Sequence, residues 1–155
     1  KSRKSSRGKH FTKRIRREFK ERLLIKEFIK MEFPTDRKYS KEHTWISVQD
    51  NTGTIGITEF AQSELGEIVY ADLPNVGYSF RQDEVFGSVE AVKTVSDLFM
   101  PVSGKIVETN ELLLKVPTLI NDNPYKDGWL IKIEIQDIAE LENLLTSNQY
   151  KELTN

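Results

Sequence analysis

Beyond residue 33 the chain is cut into short runs of alternating apolar and polar residues, with turn chemistry between them. Runs this short suit strands rather than ordinary helices. Many short strands at close spacing must pair into a barrel or a sandwich. Trp45-Ile46-Ser47-Val48 alternates in the strand manner, Gln49-Asp50-Asn51-Thr52-Gly53 supplies a turn, and Thr54-Ile55-Gly56-Ile57 reads as the returning arm of a hairpin. Thr58 is placed to cap a short helix over 59–65, which Gly66 closes. A strand is expected over 67–71, then a loop through Leu73-Pro74-Asn75-Val76-Gly77, where Gly77 can take a left-handed conformation. Further strands are expected over 84–91 and 104–110, flanking a turn at Lys93, and over 129–135. Asp137 and Glu140 are spaced as a capping box. The helix they would open has Ile138, Leu141, Leu144 and Leu145 as its apolar face, and a last short helix is expected over 149–153.

At 155 residues the chain is long enough for one domain with a real core. No apolar run approaches the length of a membrane span. There is no cysteine, which removes disulfides, thiolate nucleophiles and Cys-based metal sites. The two histidines, His10 and His43, are too few for a His-cluster metal site. No nucleophile–base pair can be assembled, so an enzyme is not expected.

The net charge of -1 hides a split. Residues 1–33 carry 13 Lys+Arg against 4 Glu, whereas residues 34–155 carry 10 Lys+Arg against 20 Asp+Glu. The acidic part repels nucleic acid and anionic membrane, so neither is expected as its partner. It suits docking onto basic patches of other proteins. Residues 1–30 are expected to form a separate basic extension, disordered at first and then helical, with Ile15, Phe19 and Leu23 about four apart between basic residues. Such a helix can bind nucleic acid, membrane or a targeting receptor. Met31 resembles an initiator, so this extension is equally read as an upstream leader, a cloning remnant or an extended reading frame.

Lys93 is the residue with the clearest functional context. It lies in Gly87-Ser88-Val89-Glu90-Ala91-Val92-Lys93-Thr94-Val95-Ser96-Asp97, between stretches that read as strands, and Pro101-Val102-Ser103-Gly104-Lys105-Ile106 follows. A solvated turn ordinarily prefers Gly, Asn, Asp or Pro, but Val92, Thr94 and Val95 flank this lysine. Apolar residues around a lone amine suit a surface that another protein recognises.

This segment resembles the lipoylation site of the glycine cleavage system H-protein family. The likeness continues through Tyr39-Ser40-Lys41-Glu42-His43-Thr44-Trp45, taken as the opening strand. It continues through Gly56-Ile57-Thr58, Leu65-Gly66-Glu67-Ile68-Val69 and Leu73-Pro74-Asn75-Val76-Gly77. Asn121-Asp122-Asn123-Pro124-Tyr125 and Gly128-Trp129-Leu130-Ile131-Lys132 extend it, so that it covers residues 33–153. The resemblance implies a mainly β barrel-sandwich hybrid of the biotinyl/lipoyl-carrier type, with short helices including C-terminal ones.

It also implies a non-catalytic carrier with lipoate in amide linkage on Lys93. Such a carrier moves the aminomethyl group of glycine from a pyridoxal-phosphate decarboxylase (P protein) to a tetrahydrofolate-dependent aminomethyltransferase (T protein). A dihydrolipoyl dehydrogenase (L protein) reoxidises it, and a lipoate ligase or lipoyltransferase attaches the arm. Glu90, Val92 and Asp97 are then the residues by which an attaching enzyme recognises the turn. Glu42 and His43 are candidates for a cleft that holds the arm. Gly87 and Gly104 match family glycines that let backbones approach closely. Met100 is assigned to the core. The family usually has Glu between the His and the Trp where this chain has Thr44, and Glu42 is the candidate to compensate. The implied compartment is the bacterial cytoplasm, with the mitochondrial matrix as the alternative. The rival readings are a biotin-type carrier, which usually has Met on both sides of the lysine, and a relay protein that donates lipoyl groups to other enzymes.

Overall fold

The computed structural model of the chain describes residues 12–23, 31 and 33–154, in two units that divide after residue 32. In the first unit, residues 12–23 form a helix, α1. Ile15, Phe19 and Leu23 are exposed on it, and Arg14 pairs with Glu18 one turn on at 3.4 Å. The expected disorder of the first residues and the helical rhythm past residue 23 fall outside the described residues.

The second unit is built from two antiparallel sheets. In the larger one, β1 (Lys38–Tyr39) pairs with β2 (Thr44–Gln49), and β2 with β3 (Thr52–Ile57). The order then continues through β9 (Ile131–Ile135), β8 (Gly104–Thr109) and β5 (Ser79–Phe80). The smaller sheet has β6 (Val85–Ala91) between β4 (Ile68–Asp72) and β7 (Val95–Phe99). Alternation does the work in both: Ile131, Ile133 and Ile135 of β9 are buried, while Glu134 is exposed. Ile46, Ile55, Ile106 and Ile133 from the large sheet form one core with Ile68, Phe86, Val89 and Leu98 from the small one. Met100 and Val102, in the link from β7 to β8, fill the same core. This is the mainly β barrel-sandwich that the resemblance implies.

Helix α2 (Glu59–Leu65) starts and stops as expected. The Thr58 side chain accepts from the Ala61 N–H, and Gly66 closes it at φ 80°. Two four-residue helices, α3 (Leu112–Lys115) and α4 (Leu119–Asp122), and a 3-10 helix at Ile138–Asn143 follow, and α5 (Ser147–Thr154) ends the unit.

Four details differ from the sequence-based expectation. Residues 39–45 are not one strand: Tyr39 ends β1, a tight loop follows with His43 at φ 69°, and β2 starts at Thr44. The strand that returns from the Lys93 turn is β7, not the 104–110 strand, which lies in the other sheet as β8. Asp137 does cap the segment after it, but that segment is a 3-10 helix, and the Glu140 carboxylate turns away from the cap to accept from Ser103 N–H at 2.7 Å. Ile138 is exposed rather than packed, while Leu141 and Leu144 lie against the core.

Candidate functional site

The β6–β7 hairpin turns over two residues, Val92 and Lys93. Glu90 stands opposite Val95, and the Ala91 N–H donates to the Thr94 carbonyl at 2.7 Å. A second bond ties the tip sideways, from the Val92 N–H to the Glu67 carbonyl at 3.2 Å. The backbone beneath Lys93 is therefore held from two directions. Its side chain is exposed, and among the described residues the amine has no ion pair. Val92 is 66% exposed and Val95 61%, so the turn is apolar, accessible and rigid at its base. Glu90 lies between two exposed apolar neighbours on one face of the sheet, Val95 on β7 and Tyr70 on β4.

Beside this hairpin is a cleft of about 360 Å³. Val89, Ser96, Asp97 and Leu98 of the hairpin form one wall, Phe60, Ala61, Glu64 and Leu65 of α2 another, and Glu42 and His43 the rim between β1 and β2. The α2 residues are spaced to share one helix face. The cleft thus combines an apolar floor with three exposed carboxylates, from Glu42, Glu64 and Asp97. Of the predicted residues, the structure gathers Asp97, Glu42 and His43 into the cleft wall, while Lys93 and Val92 sit at the hairpin tip and Glu90 on the sheet face. Thr44 does not line the cleft. It is buried, with its hydroxyl 2.7 Å from that of Ser40 and donating to the Phe99 carbonyl at 3.3 Å.

His43 is held by more than its sequence context indicated. Its left-handed backbone is uncommon for a residue other than glycine, although His tolerates it better than most. The His43 carbonyl accepts from the Thr58 N–H at 3.1 Å. Its ring packs against Phe60, with centroids 5.0 Å apart, and edge-on to Tyr150. Nδ1 of His43 lies 2.6 Å from the Tyr150 hydroxyl, which lies 2.8 Å from that of Thr58. Burial lowers the His43 pKa from its ordinary 6.5, against the opposing pull of Glu42 and Glu64. Burial pushes the Tyr150 hydroxyl up to about 12, so it keeps its proton. Tyr150 comes from α5, where it also stacks on Tyr39 at 5.0 Å. Tyr150, Thr58, Phe60 and Glu64 were not singled out as site residues from the sequence. The α2 pair was legible in the helical spacing, but Tyr150 had no local signal.

Comparison with known proteins places the chain in a family. The family profile "Glycine cleavage H-protein" matches residues 37–155. A glycine cleavage system H protein from Staphylococcus haemolyticus is 52% identical over 123 residues, covering 79% of this chain and 98% of that protein. One from Bacillus cereus is 51% identical over 125 residues, covering 81% of this chain and 98% of that protein. The crystal structure of a glycine cleavage system H protein from Mycobacterium marinum superposes with a TM-score of 0.72 at 38% identity, over 77% of this chain and 97% of that one. With sequence, fold and nearly the full length of each relative in agreement, the chain belongs to the glycine cleavage H-protein family.

Proposed function

We propose that this chain is a lipoyl-carrying shuttle of glycine cleavage, with its arm attached through an amide to Nζ of Lys93. The observation that carries this reading is an exposed lysine, without an ion pair among the described residues, on a backbone-anchored two-residue turn next to a cleft with an apolar floor. Those features fit the group: the amine is free to be acylated, and the cleft lies along the strand that leads away from the turn. When bound, lipoate supplies disulfide and thiol chemistry that a chain without cysteine lacks. The protein contributes position. The hairpin fixes the base of the arm, and Glu42, Glu64 and Asp97 favour a cationic group in the cleft.

The carried group is the aminomethyl unit of glycine. The partners are the decarboxylase that loads it, the aminomethyltransferase that takes it to tetrahydrofolate and the dihydrolipoyl dehydrogenase that reoxidises the arm. A lipoate ligase or lipoyltransferase meets Glu90, Val92 and Asp97 around the turn, and Tyr70 and Val95 extend that face. Residues 33–153 form the carrier domain and residues 1–30 a separate basic extension. The bacterial origin of the relatives supports a place in the bacterial cytoplasm. Among the described residues no helix is long and apolar enough to cross a membrane.

The test is intact mass after incubation with lipoate and a lipoate ligase. The expected result is a gain of one lipoyl group, absent in Lys93→Arg with the fold unchanged by circular dichroism. Modification of the Lys93→Arg protein at another lysine would overturn the assignment.

A further inference from the structure

The buried hydroxyls behind His43 determine which ring nitrogen carries its proton. Thr58 is fully buried, and its oxygen already accepts the Ala61 N–H at 3.1 Å. Its hydroxyl hydrogen therefore needs an acceptor, and among the described residues the Tyr150 oxygen at 2.8 Å is the one within reach. With that oxygen accepting from Thr58, the Tyr150 hydrogen points at Nδ1 of His43, 2.6 Å away. Nδ1 must then be the bare, accepting nitrogen of the imidazole. The reverse order, with His43 Nδ1–H donating to Tyr150 and Tyr150 to Thr58, leaves the Thr58 hydrogen buried without a partner, which is costly. Nε2 has no protein partner among the described residues, and His43 lines the cleft.

We infer that the relay Thr58→Tyr150→His43 locks His43 as the tautomer protonated at Nε2, and that this N–H is a positioning donor for the arm in the cleft. The cleft then offers one neutral donor for an acceptor atom of the arm and three carboxylates for a cation carried on it. α5 thereby acts on the cleft without lining it, through the Tyr150 hydroxyl on His43. The tautomer rests on hydrogen-bond geometry alone; the occupant rests on the carrier reading above.

Two measurements test this. Nitrogen-15 spectra of the imidazoles in the unmodified full chain, assigned with His10→Gln, report the tautomer directly. The expected result at neutral pH is an unprotonated Nδ1 and a protonated Nε2 on His43, lost to a tautomer mixture in Tyr150→Phe. A wild-type His43 protonated at Nδ1, or on both nitrogens, overturns the relay. The second measurement charges the lipoylated chain from glycine with its decarboxylase and follows the half-life of the charge. Losing one hydrogen bond should shorten it roughly two- to tenfold in Tyr150→Phe and His43→Leu. His43→Gln, whose amide N–H lies near the Nε2 position, should recover it. Equal half-lives in all variants overturn the positioning role while leaving the tautomer standing. Failure of Lys93 to accept lipoate would remove the occupant and the positioning role with it, and the spectra would still decide the tautomer.

Discussion

Lys93 is made suitable by its neighbours' backbones. The strand that leads into its turn, β6, also runs close to β4, and that closeness depends on Gly87. A Cβ at Gly87 would run into the Asp72 carbonyl oxygen, and backbone atoms have little room to yield. Gly87→Ala is therefore expected to lower stability by about 1–3 kcal/mol. Urea unfolding measures it, and a midpoint equal to the wild type would contradict the crowding. The turn at Lys93 was legible in the sequence because its whole context is contiguous. The residues that orient His43 were not, because Tyr150 lies 107 positions from His43 and 92 from Thr58. No local pattern encodes a contact of that separation.

Among the elements, α4 links α2 to the small sheet through a single side chain. Asn121 accepts from the Ile68 N–H at 2.9 Å and donates to the Gly66 carbonyl at 2.7 Å and to Gln62 Oε1 at 3.0 Å. It joins the end of one cleft wall to the start of β4. Asn121→Ala leaves the Ile68 N–H and the Gly66 carbonyl without these partners, at an expected cost of about 1–3 kcal/mol. Hydrogen exchange should locate the loss at the end of α2 and the start of β4; uniform protection across both would contradict it. Helices α3 and α4 were missed because four residues each is too short for a helical period to register. Strand β7 was missed for a different reason. Val95 and Asp97 are both exposed while only Leu98 is buried, so the edge strand lacks a clean alternation. Thr58 and Gly66 were legible because capping is a local rule. Glu140 broke that rule in favour of Ser103, 37 positions away.

At the scale of the whole molecule, titration sets two edges to stability. The folded pKa of His43 lies below its ordinary 6.5, so the unfolded chain binds that proton more readily. Its contribution is complete above pH 6.5 and is lost as pH falls through the folded value. The tyrosines act with the opposite sign. Burial raises Tyr39, Tyr125 and Tyr150 above 10.0, so their contribution is complete below that pH and is lost as pH rises, through about 12 for Tyr150. The urea midpoint should therefore be highest between these limits, and His43→Gln should weaken the acid-side decline. A decline of unchanged size in that variant would exclude His43 as its source.

Charge acts at the same scale. Residues 34–155 carry 10 Lys+Arg against 20 Asp+Glu, so encounter with a basic partner surface is steered. Raising salt from 0.1 M to 1 M shortens the screening length from about 10 Å to about 3 Å. The association rate with the decarboxylase should fall as salt rises; a rate independent of salt would exclude steering.

The two backbone bonds under the hairpin tip have a geometric consequence. A tether with a fixed origin sweeps a fixed spherical cap, and every active site that uses it must enter that one cap. On the proposed reading, the partner enzymes and the carrier's own cleft compete for the same small volume. Their visits exclude one another, so traffic among them is governed by residence times and abundance, not by a channel built into the carrier.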